Sequence, residues 1–173
     1  SGEMCDIFID RKHGVEKILS LFNRKKMNNS IYSSKDDILP ISEYKSYKHI
    51  ASMNWHIIAK YLSPIKKHAI AIDLGSTTTD FILLKNSRCI NKRVDDYTGL
   101  LSSELLYSGV LRTPIFSVTK QIRFNTQTYP LIPEYYATMG DIYRVLGIIS
   151  PKDDYSETAD GRSKSEINSL KRI

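Results

Sequence analysis

Hydrophobic residues repeat at helical intervals in the first third of the chain, and the repeats predict two helices. The first repeat has four positions on one face: Val15, Ile18, Leu19 and Phe22. Intervals of three and four residues are typical of an amphipathic helix, which Asp10 would cap and the basic cluster at 24–26 would end. The second repeat has seven positions: Tyr47, Ile50, Ala51, Trp55, Ile58, Ala59 and Leu62. It predicts a helix capped by Ser42 and ending before Pro64.

Apolar runs of strand length follow in the middle of the chain. Residues 69–72 and 81–84 flank a segment of small, hydroxylated residues, Asp73-Leu-Gly-Ser-Thr-Thr-Thr-Asp80. Such runs favour buried strands over helix, so the pattern predicts strand, tight turn and strand. A third strand at 88–94 would complete an antiparallel meander. Short extended segments are also expected at 31–32 and 38–41, with a turn at 36–37.

The last third of the chain alternates between predicted helices and connecting segments. We expect a short helix at 100–107, an edge or loop around Pro114, and a strand at 115–124. Pro133 is placed to begin a helix that Gly147 ends, with Tyr136 and Leu146 on its apolar face. Residues 150–162 are polar and predict a surface loop, and a last helix is expected from Ser165.

The chemistry of the central turn is suited to phosphate. Gly75 can adopt a positive φ and allows close approach to the backbone. Four hydroxyl side chains surround it: Ser76, Thr77, Thr78 and Thr79. Backbone N–H groups and hydroxyls in a concave loop bind phosphate oxygens, and Asp73 with Asp80 could hold a magnesium ion beside them. The alternative is a plain β-hairpin, because serine, threonine and aspartate favour turns without any ligand.

Composition and charge limit the classes of function. The chain has 173 residues, 41% hydrophobic and 25% charged, as expected for one ordinary globular domain. The net charge is +6. Its basic clusters are short and fall at predicted helix ends, so we expect anionic small molecules and no nucleic acid as partners. No apolar run reaches membrane-spanning length and no signal peptide is visible, which predicts a cytoplasmic protein without a membrane partner. Cys5 and Cys89 lack metal-ligand spacing and are expected to be reduced bystanders.

The central turn resembles a known phosphate loop. Asp-x-Gly-x-x-Thr-x-Asp between two strands is found in the second phosphate loop of the actin, Hsp70 and sugar-kinase superfamily. Seven motifs in order extend the resemblance along the chain: Gly2-Glu-Met-Cys-Asp6, residues 10–15, Ala51-Ser-Met-Asn-Trp55, Ile72–Asp80, residues 104–114, Tyr136-Ala-Thr-Met-Gly-Asp141 and Thr158-Ala-Asp-Gly-Arg162. Together they resemble the hydantoinase/oxoprolinase-related proteins of tetrahydromethanopterin-linked C1 transfer, in the branch of methanofuran biosynthesis.

This resemblance implies an α/β fold of the actin/Hsp70/sugar-kinase (ribonuclease H-like) type, with two lobes. The first phosphate loop of that fold is absent, so we expect a partial copy that is incomplete at its C-terminus and inactive alone. Residues 1–68 would belong to the N-terminal lobe and its connecting helices, and residues 69–173 to the phosphate-loop lobe. A partner chain supplying the missing lobe, or a homo-oligomer, is the alternative arrangement.

The resemblance also implies a reaction. A transferase of this branch would condense an aminomethylfuran-methyl diphosphate with a γ-glutamyltyramine-type phenol, releasing pyrophosphate. Asp73, Asp80 and Arg112 are the catalytic candidates, the two aspartates with Mg²⁺. The phosphate-binding candidates are Gly75, Ser76, Thr77, Thr78, Thr79 and Thr113. Two other functions stay open: an ATP-dependent hydantoinase/oxoprolinase-like or kinase-like enzyme, and a non-catalytic binding lobe.

Five side chains have competing structural and functional interpretations. Asp141 is expected to be an exposed or helix-supporting carboxylate. Asp160 either orients a substrate amine or belongs to an ordinary turn with Gly161. Tyr107 and Tyr136 are better explained by core packing than by an aromatic pocket. Arg112 is equally compatible with a surface ion pair.

Overall fold

The computed structural model describes Glu3 and residues 7–23, 28–35 and 37–173. Within them the chain is a mixed α/β protein with several antiparallel strand pairs, as the sequence predicts at that level. The helices are α1 (Arg11–Asn23), α2 (Asn54–Leu62), α3 (Asp96–Leu101), α4 (Ile115–Val118), α5 (Met139–Val145) and α6 (Glu166–Arg172). The strands are β1 (Ser30–Ser33), β2 (Asp37–Pro40), β3 (His68–Leu74), β4 (Thr79–Lys85), β5 (Arg88–Cys89), β6 (Leu105–Leu106), β7 (Gln121–Phe124) and β8 (Gln127–Pro130).

The chain forms two compact units, and two of the boundaries between them along the chain fall within strands β3 and β4. The first unit contains Ser1–Ala71 and Phe81–Glu104, and the second contains Ile72–Asp80 and Leu105–Ile173. The boundary predicted between residues 68 and 69 separates the two expected lobes and stays a prediction. Three earlier interpretations lie outside the described residues: the bystander role of Cys5, the basic cluster at 24–26 and the Asp36 half of the turn.

The first unit confirms the first helix and corrects the second. Asp10 caps α1, because its Oδ1 accepts a hydrogen bond from the His13 N–H at 2.7 Å. The single helix predicted from Ser42 is wrong at its start, since 41–53 contains two 3₁₀ turns, Ile41–Glu43 and Tyr47–His49. Ser52 adopts a φ of +52°, which interrupts any continuous helix before α2 begins. The strands predicted near residues 31 and 39 are present and pair as an antiparallel hairpin.

The core of the first unit packs α2 against β4. Its buried residues are Trp55, Ala59, Ile82 and Leu84, with Ala69, Ala71 and Cys89 packed against them. The guanidinium of Arg93 lies 4.7 Å from the centre of the Trp55 ring. Because Ile82 is fully buried, it is a central packing residue of this cluster.

The predicted third strand is shorter than expected, since β5 ends at Cys89. The Asn91 side chain replaces the missing strand: its Oδ1 accepts the Leu83 N–H at 2.7 Å, and its Nδ2 donates to the Phe81 carbonyl at 2.7 Å. The Glu104 carboxylate then accepts the N–H groups of Lys92 and Arg93. Side chains therefore satisfy backbone groups that a longer β5 would have paired.

The helix predicted at 100–107 begins and ends earlier. Asp95 and Thr98 form a capping box that starts α3 at Asp96. Ser103, with a φ of +57°, follows the end of this helix. Leu105–Leu106 then pairs with β4 as strand β6, so its residues belong to the sheet.

The second unit corrects two further elements. The strand predicted over 115–124 is instead the short helix α4 followed by β7, which forms a hairpin with β8 through a turn at Asn125. The helix predicted from Pro133 starts only at Met139, because Thr138 and Asp141 form a capping box there. Its predicted end at Gly147 is confirmed, with a φ of +69°. Helix α6 begins after its Ser165 cap, as predicted. None of the helices in the described part of the chain is long and apolar enough to span a membrane.

Candidate phosphate-binding loop

The candidate phosphate loop, residues 75–78 and called the phosphate loop below, is a tight turn between β3 and β4 in the second unit. It is closed by the Gly75 N–H, which donates to the Thr78 carbonyl at 2.8 Å. Gly75 does not have a positive φ. Its need for glycine is close approach, since a Cβ atom there would lie 2.9 Å from the Thr78 oxygen.

A second segment, residues 108–113, holds the carbonyl groups of the loop and is called the clamp segment below. The Val110 N–H donates to the Gly75 oxygen at 3.0 Å. The N–H groups of Leu111 and Arg112 both donate to the Ser76 oxygen, at 3.1 and 2.9 Å. Two of the loop's carbonyl oxygens are therefore occupied by protein donors, which removes part of the negative partial charge that would repel an anion.

Three of the loop's four amide groups, all except that of Gly75, are free of such contacts. Within the residues that the structure describes, the N–H groups of Ser76, Thr77 and Thr78 donate to no protein acceptor, and the hydroxyls of Thr77 and Thr78 have no protein partner. All three residues are partly exposed. Several unmatched donors on one short loop, with the Gly75 and Ser76 carbonyls bonded to the clamp segment, suit a phosphate group.

Gly109 fixes the clamp segment against the loop. A Cβ atom at Gly109 would lie 2.5 Å from the Gly75 oxygen and 2.6 Å from the Thr77 nitrogen, so only glycine fits. The Thr113 hydroxyl accepts the Gly109 N–H at 2.7 Å and donates to the Gly109 carbonyl at 2.9 Å. The sequence alone assigned no role to Gly109, which lies just after the predicted helix at 100–107.

Two threonines predicted to bind phosphate have hydroxyls that already bond to protein. The Thr79 hydroxyl donates to the Ser108 carbonyl at 2.7 Å, and the Thr113 hydroxyl bonds to Gly109. Both residues are buried. Their role as phosphate ligands stays a prediction, and their contacts give them the role of holding the clamp segment.

Arg112 places a cation at the edge of the loop. Its Nη2 donates to the Ser76 hydroxyl at 2.9 Å, while its side chain remains exposed. Among the described residues, the Arg112 guanidinium bonds to this hydroxyl, and no carboxylate forms an ion pair with it. A guanidinium in this position can donate to a phosphate oxygen without first breaking a salt bridge.

Asp73 and Asp80 lie near the ends of the two strands that enter and leave the loop. Alternate residues of a strand share a face, so Asp73 continues the face of Ala69 and Ala71, and Asp80 that of Ile82. Asp80 is buried and Asp73 is half-buried. No group of three or more His, Cys, Asp or Glu side chains among the described residues is placed to hold a metal. Mg²⁺ commonly takes only one or two carboxylates together with phosphate oxygens and water, so the magnesium role of Asp73 and Asp80 stays a prediction.

Asp141 is buried, so its expected exposure is wrong, although its helix-supporting role is confirmed. Its Oδ1 accepts hydrogen bonds from Arg144 at 3.0 Å, Arg172 at 2.7 Å and Ser169 at 2.9 Å, and its Oδ2 caps α5 at Thr138. Burial opposes the charged form, but the hydrogen bonds from Arg172, Thr138 and Ser169 outweigh it and lower the pKa of Asp141. This cluster joins α5 to α6.

Asp160 belongs to the same network. Its Oδ1 accepts from the Arg172 Nη1 at 3.0 Å and from the Arg162 N–H at 3.1 Å. Burial opposes this charge too, yet the Arg162 and Arg172 hydrogen bonds lower the pKa of Asp160. These contacts favour the turn interpretation over a substrate contact.

The two tyrosines assigned to core packing are exposed instead. Tyr107 is 69% exposed and Tyr136 is 57% exposed, so the packing interpretation is wrong for both. Tyr136 lines a cavity of about 580 Å³ in the second unit. The sequence signal that would have found it is the concentration of aromatic and aliphatic residues between Ile115 and Ala137.

Comparison with known proteins gives a consistent result. The family model described as Hydantoinase/oxoprolinase matches residues 2–173. A protein of Methanocaldococcus jannaschii named (4-{4-[2-(gamma-L-glutamylamino)ethyl]phenoxymethyl}furan-2-yl)methanamine synthase is 32% identical over 177 residues, covering 100% of this chain and 53% of the relative. A protein of Methanococcus vannielii with the same name is 38% identical over 109 residues, covering 63% of this chain and 49% of the relative. The chain thus spans about half the length of the curated relatives it matches.

Proposed function

The chain belongs to the hydantoinase/oxoprolinase family, and from that premise we propose that its phosphate loop binds the diphosphate of a transferase substrate. The whole protein would condense an aminomethylfuran-methyl diphosphate with a γ-glutamyltyramine-type phenol, giving an ether and pyrophosphate. The names of both relatives describe a synthase whose product joins a phenoxymethyl group to a furan carrying a methanamine. The condensation accounts for that ether bond.

The observation that carries the proposal is the division of polar groups in the loop. Its carbonyls at Gly75 and Ser76 are held by the clamp segment, while the amides of Ser76, Thr77 and Thr78 have no acceptor among the described residues. A structural turn needs no such separation. A group with several anionic oxygens would satisfy all three amides at once.

The chemical demand of the reaction falls mainly on the leaving group. The bond between the furfuryl-type carbon and the diphosphate oxygen breaks, and its electron pair leaves with pyrophosphate. The phenolic oxygen forms the new bond to carbon and its proton is released. Donors placed on the departing oxygens stabilise the charge that develops there, which is the role of the loop amides and of the Arg112 guanidinium.

Mg²⁺ is the proposed metal, held by Asp73 and Asp80 beside the loop. When bound, it would neutralise part of the charge on the diphosphate. Strands β3 and β4 position the two aspartates, and the Gly75–Thr78 hydrogen bond closes the turn that joins these strands.

For the fold we propose the two-lobed actin/Hsp70/sugar-kinase arrangement. The support is the loop between two strands and the family to which the chain belongs. In this arrangement residues 69–173 carry the phosphate loop, and the other phosphate loop lies in sequence that this chain does not contain. A partner chain that supplies that lobe is part of the proposal, and a homo-oligomer is the alternative assembly.

Calorimetric titration with pyrophosphate in the presence of Mg²⁺ tests the function. We expect Arg112→Ala to weaken pyrophosphate binding by roughly tenfold to a hundredfold, since a hydrogen bond between charged groups contributes about 1.5–3 kcal/mol. Arg123→Ala is the matched control, because Arg123 is also exposed but lies on β7, outside the phosphate loop and the clamp segment. Equal binding by both variants and the parent would contradict the proposal, as would binding of ATP without binding of pyrophosphate.

A further inference from the structure

The cavity lined by Tyr136 has the size and composition of a small-molecule site. Its volume of about 580 Å³ lies within the roughly 300–1,000 Å³ usual for ligand pockets. Its lining is dominated by aromatic and aliphatic side chains and includes Ile115, Phe116, Tyr129, Ile132, Glu134 and Tyr136. Flat apolar rings are the ligands that such a lining favours.

The cavity is close to the phosphate loop along the backbone. The Arg112 N–H donates to the Ser76 oxygen at 2.9 Å, and three residues later the Ile115 N–H donates to the Ala137 oxygen at 3.1 Å. Ile115 and Ala137 both line the cavity. Three residues of extended chain span about 11 Å at most, so one ligand of modest size can reach from the loop to the lining.

The charges of the lining favour a cation. Two charged residues contribute to it, Arg172 and Glu134. The Arg172 guanidinium is neutralised by Asp141 at 2.7 Å and Asp160 at 3.0 Å. Glu134 has no ion pair among the described residues, which leaves one uncompensated carboxylate at the exposed rim. An ammonium group would compensate it, and the neighbouring aromatic rings attract cations as well.

We propose that this cavity binds an aromatic ring carrying a short alkylammonium arm, namely the aminomethylfuran part of the diphosphate substrate. This inference rests on the proposed function, because it places the diphosphate of the same molecule on the phosphate loop. Both relatives are named for a product that ends in a furan-2-yl methanamine, which has this chemistry. The ring lies on the apolar lining, and the ammonium faces Glu134.

Ligand-observed saturation-transfer NMR tests the cavity with furfurylamine as the probe, in the presence of Mg²⁺ and pyrophosphate. We expect Tyr136→Ala to weaken furfurylamine binding at least fivefold, because it removes an aromatic face of the lining. Tyr135→Ala is the matched control: Tyr135 is 49% exposed against 57% for Tyr136, but does not line the cavity. Glu134→Gln should weaken furfurylamine about threefold, and furfuryl alcohol should bind the parent more weakly than furfurylamine.

The outcomes separate this inference from the proposed function. Equal furfurylamine binding by the two tyrosine variants would overturn the cavity assignment, even if pyrophosphate still binds the loop. Tighter binding of tyramine than of furfurylamine would overturn the choice of the furan part as the occupant. If furfurylamine binds as expected while pyrophosphate does not bind at all, the cavity stands and the diphosphate role of the loop fails.

Discussion

Replacing Gly109 by alanine is the sharpest perturbation of the loop. The new methyl group would lie 2.5 Å from the Gly75 oxygen, 2.6 Å from the Thr77 nitrogen and 2.7 Å from the Ser76 carbonyl carbon. All three are backbone atoms, so no side-chain rotation relieves the overlap. The clamp segment and the phosphate loop must separate by about 0.9 Å to restore an ordinary contact of 3.4 Å.

The energetic consequence has two parts. Overpacking of this kind costs about 1–3 kcal/mol when the surroundings can shift. The separation also weakens three hydrogen bonds from Val110, Leu111 and Arg112 to the loop carbonyls, each with a net contribution of about 1 kcal/mol. We therefore expect Gly109→Ala to lower the free energy of unfolding by about 2–4 kcal/mol and pyrophosphate affinity at least tenfold.

Denaturant unfolding and calorimetric titration with pyrophosphate and Mg²⁺ measure the two effects separately. Gly147→Ala is the control, because Gly147 has a φ of +69° but no atom within 4 Å of a new Cβ. Its left-handed backbone should cost about 1–2 kcal/mol without moving the loop. If Gly109→Ala retains parental pyrophosphate affinity, or if Gly147→Ala loses as much affinity, the loop geometry does not determine binding.

Three further predictions concern the contacts around the loop and the cores of the two units. Thr113→Val should lower pyrophosphate affinity several-fold by removing both hydrogen bonds to Gly109, whereas Thr113→Ser should retain it in the same titration. Asp141→Asn should lower the free energy of unfolding by about 3–5 kcal/mol, because two buried arginines lose a charged partner; a loss below 1 kcal/mol in urea unfolding would refute this. The pKa of Asp141 is lowered in the folded chain. The stabilisation that its carboxylate gives the fold is therefore complete above the unfolded-state pKa of about 3.9 and is lost as the pH falls through the folded-state pKa. Asp141→Asn should accordingly make the free energy of unfolding depend less on pH in the acid range. Ile82→Ala should cost about 2–5 kcal/mol in thermal unfolding, since Ile82 is fully buried.

Local signals in the sequence predicted the elements that local contacts determine. The helix capped by Asp10 and the two strands around the phosphate loop are present because their periodicity and end residues agree with the packing. The end of α5 at Gly147 was predictable for the same reason, since a positive φ strongly favours glycine.

Elements whose ends are set by contacts outside the apolar repeat were not predictable in this way. The β5 strand stops at Cys89 because the side chains of Asn91 and Glu104 bond to the backbone that a longer strand would have paired. Helix α5 starts at Met139 because Thr138 caps it and pairs with Pro114, twenty-four residues earlier. The apolar periodicity that begins near Pro133 contains no information about that partner.

The candidate site shows the same division. The hydroxyl-rich loop was predictable from its composition, but the role of Gly109 depends on three backbone hydrogen bonds between segments more than thirty residues apart. The buried positions of Thr79 and Thr113 likewise depend on those contacts. Sequence composition alone therefore identified the loop without identifying what holds its carbonyls.

Amide chemical shifts of the loop test the account most directly. In ¹H–¹⁵N spectra of the labelled protein, titration with pyrophosphate and Mg²⁺ should shift the amide protons of Ser76, Thr77 and Thr78 downfield, because each would donate to a phosphate oxygen. The amides of Val110 and Arg112, which already donate to loop carbonyls, should move less. Saturable shifts confined to other residues, or no shifts at these three amides, would contradict the claim that the loop binds phosphate.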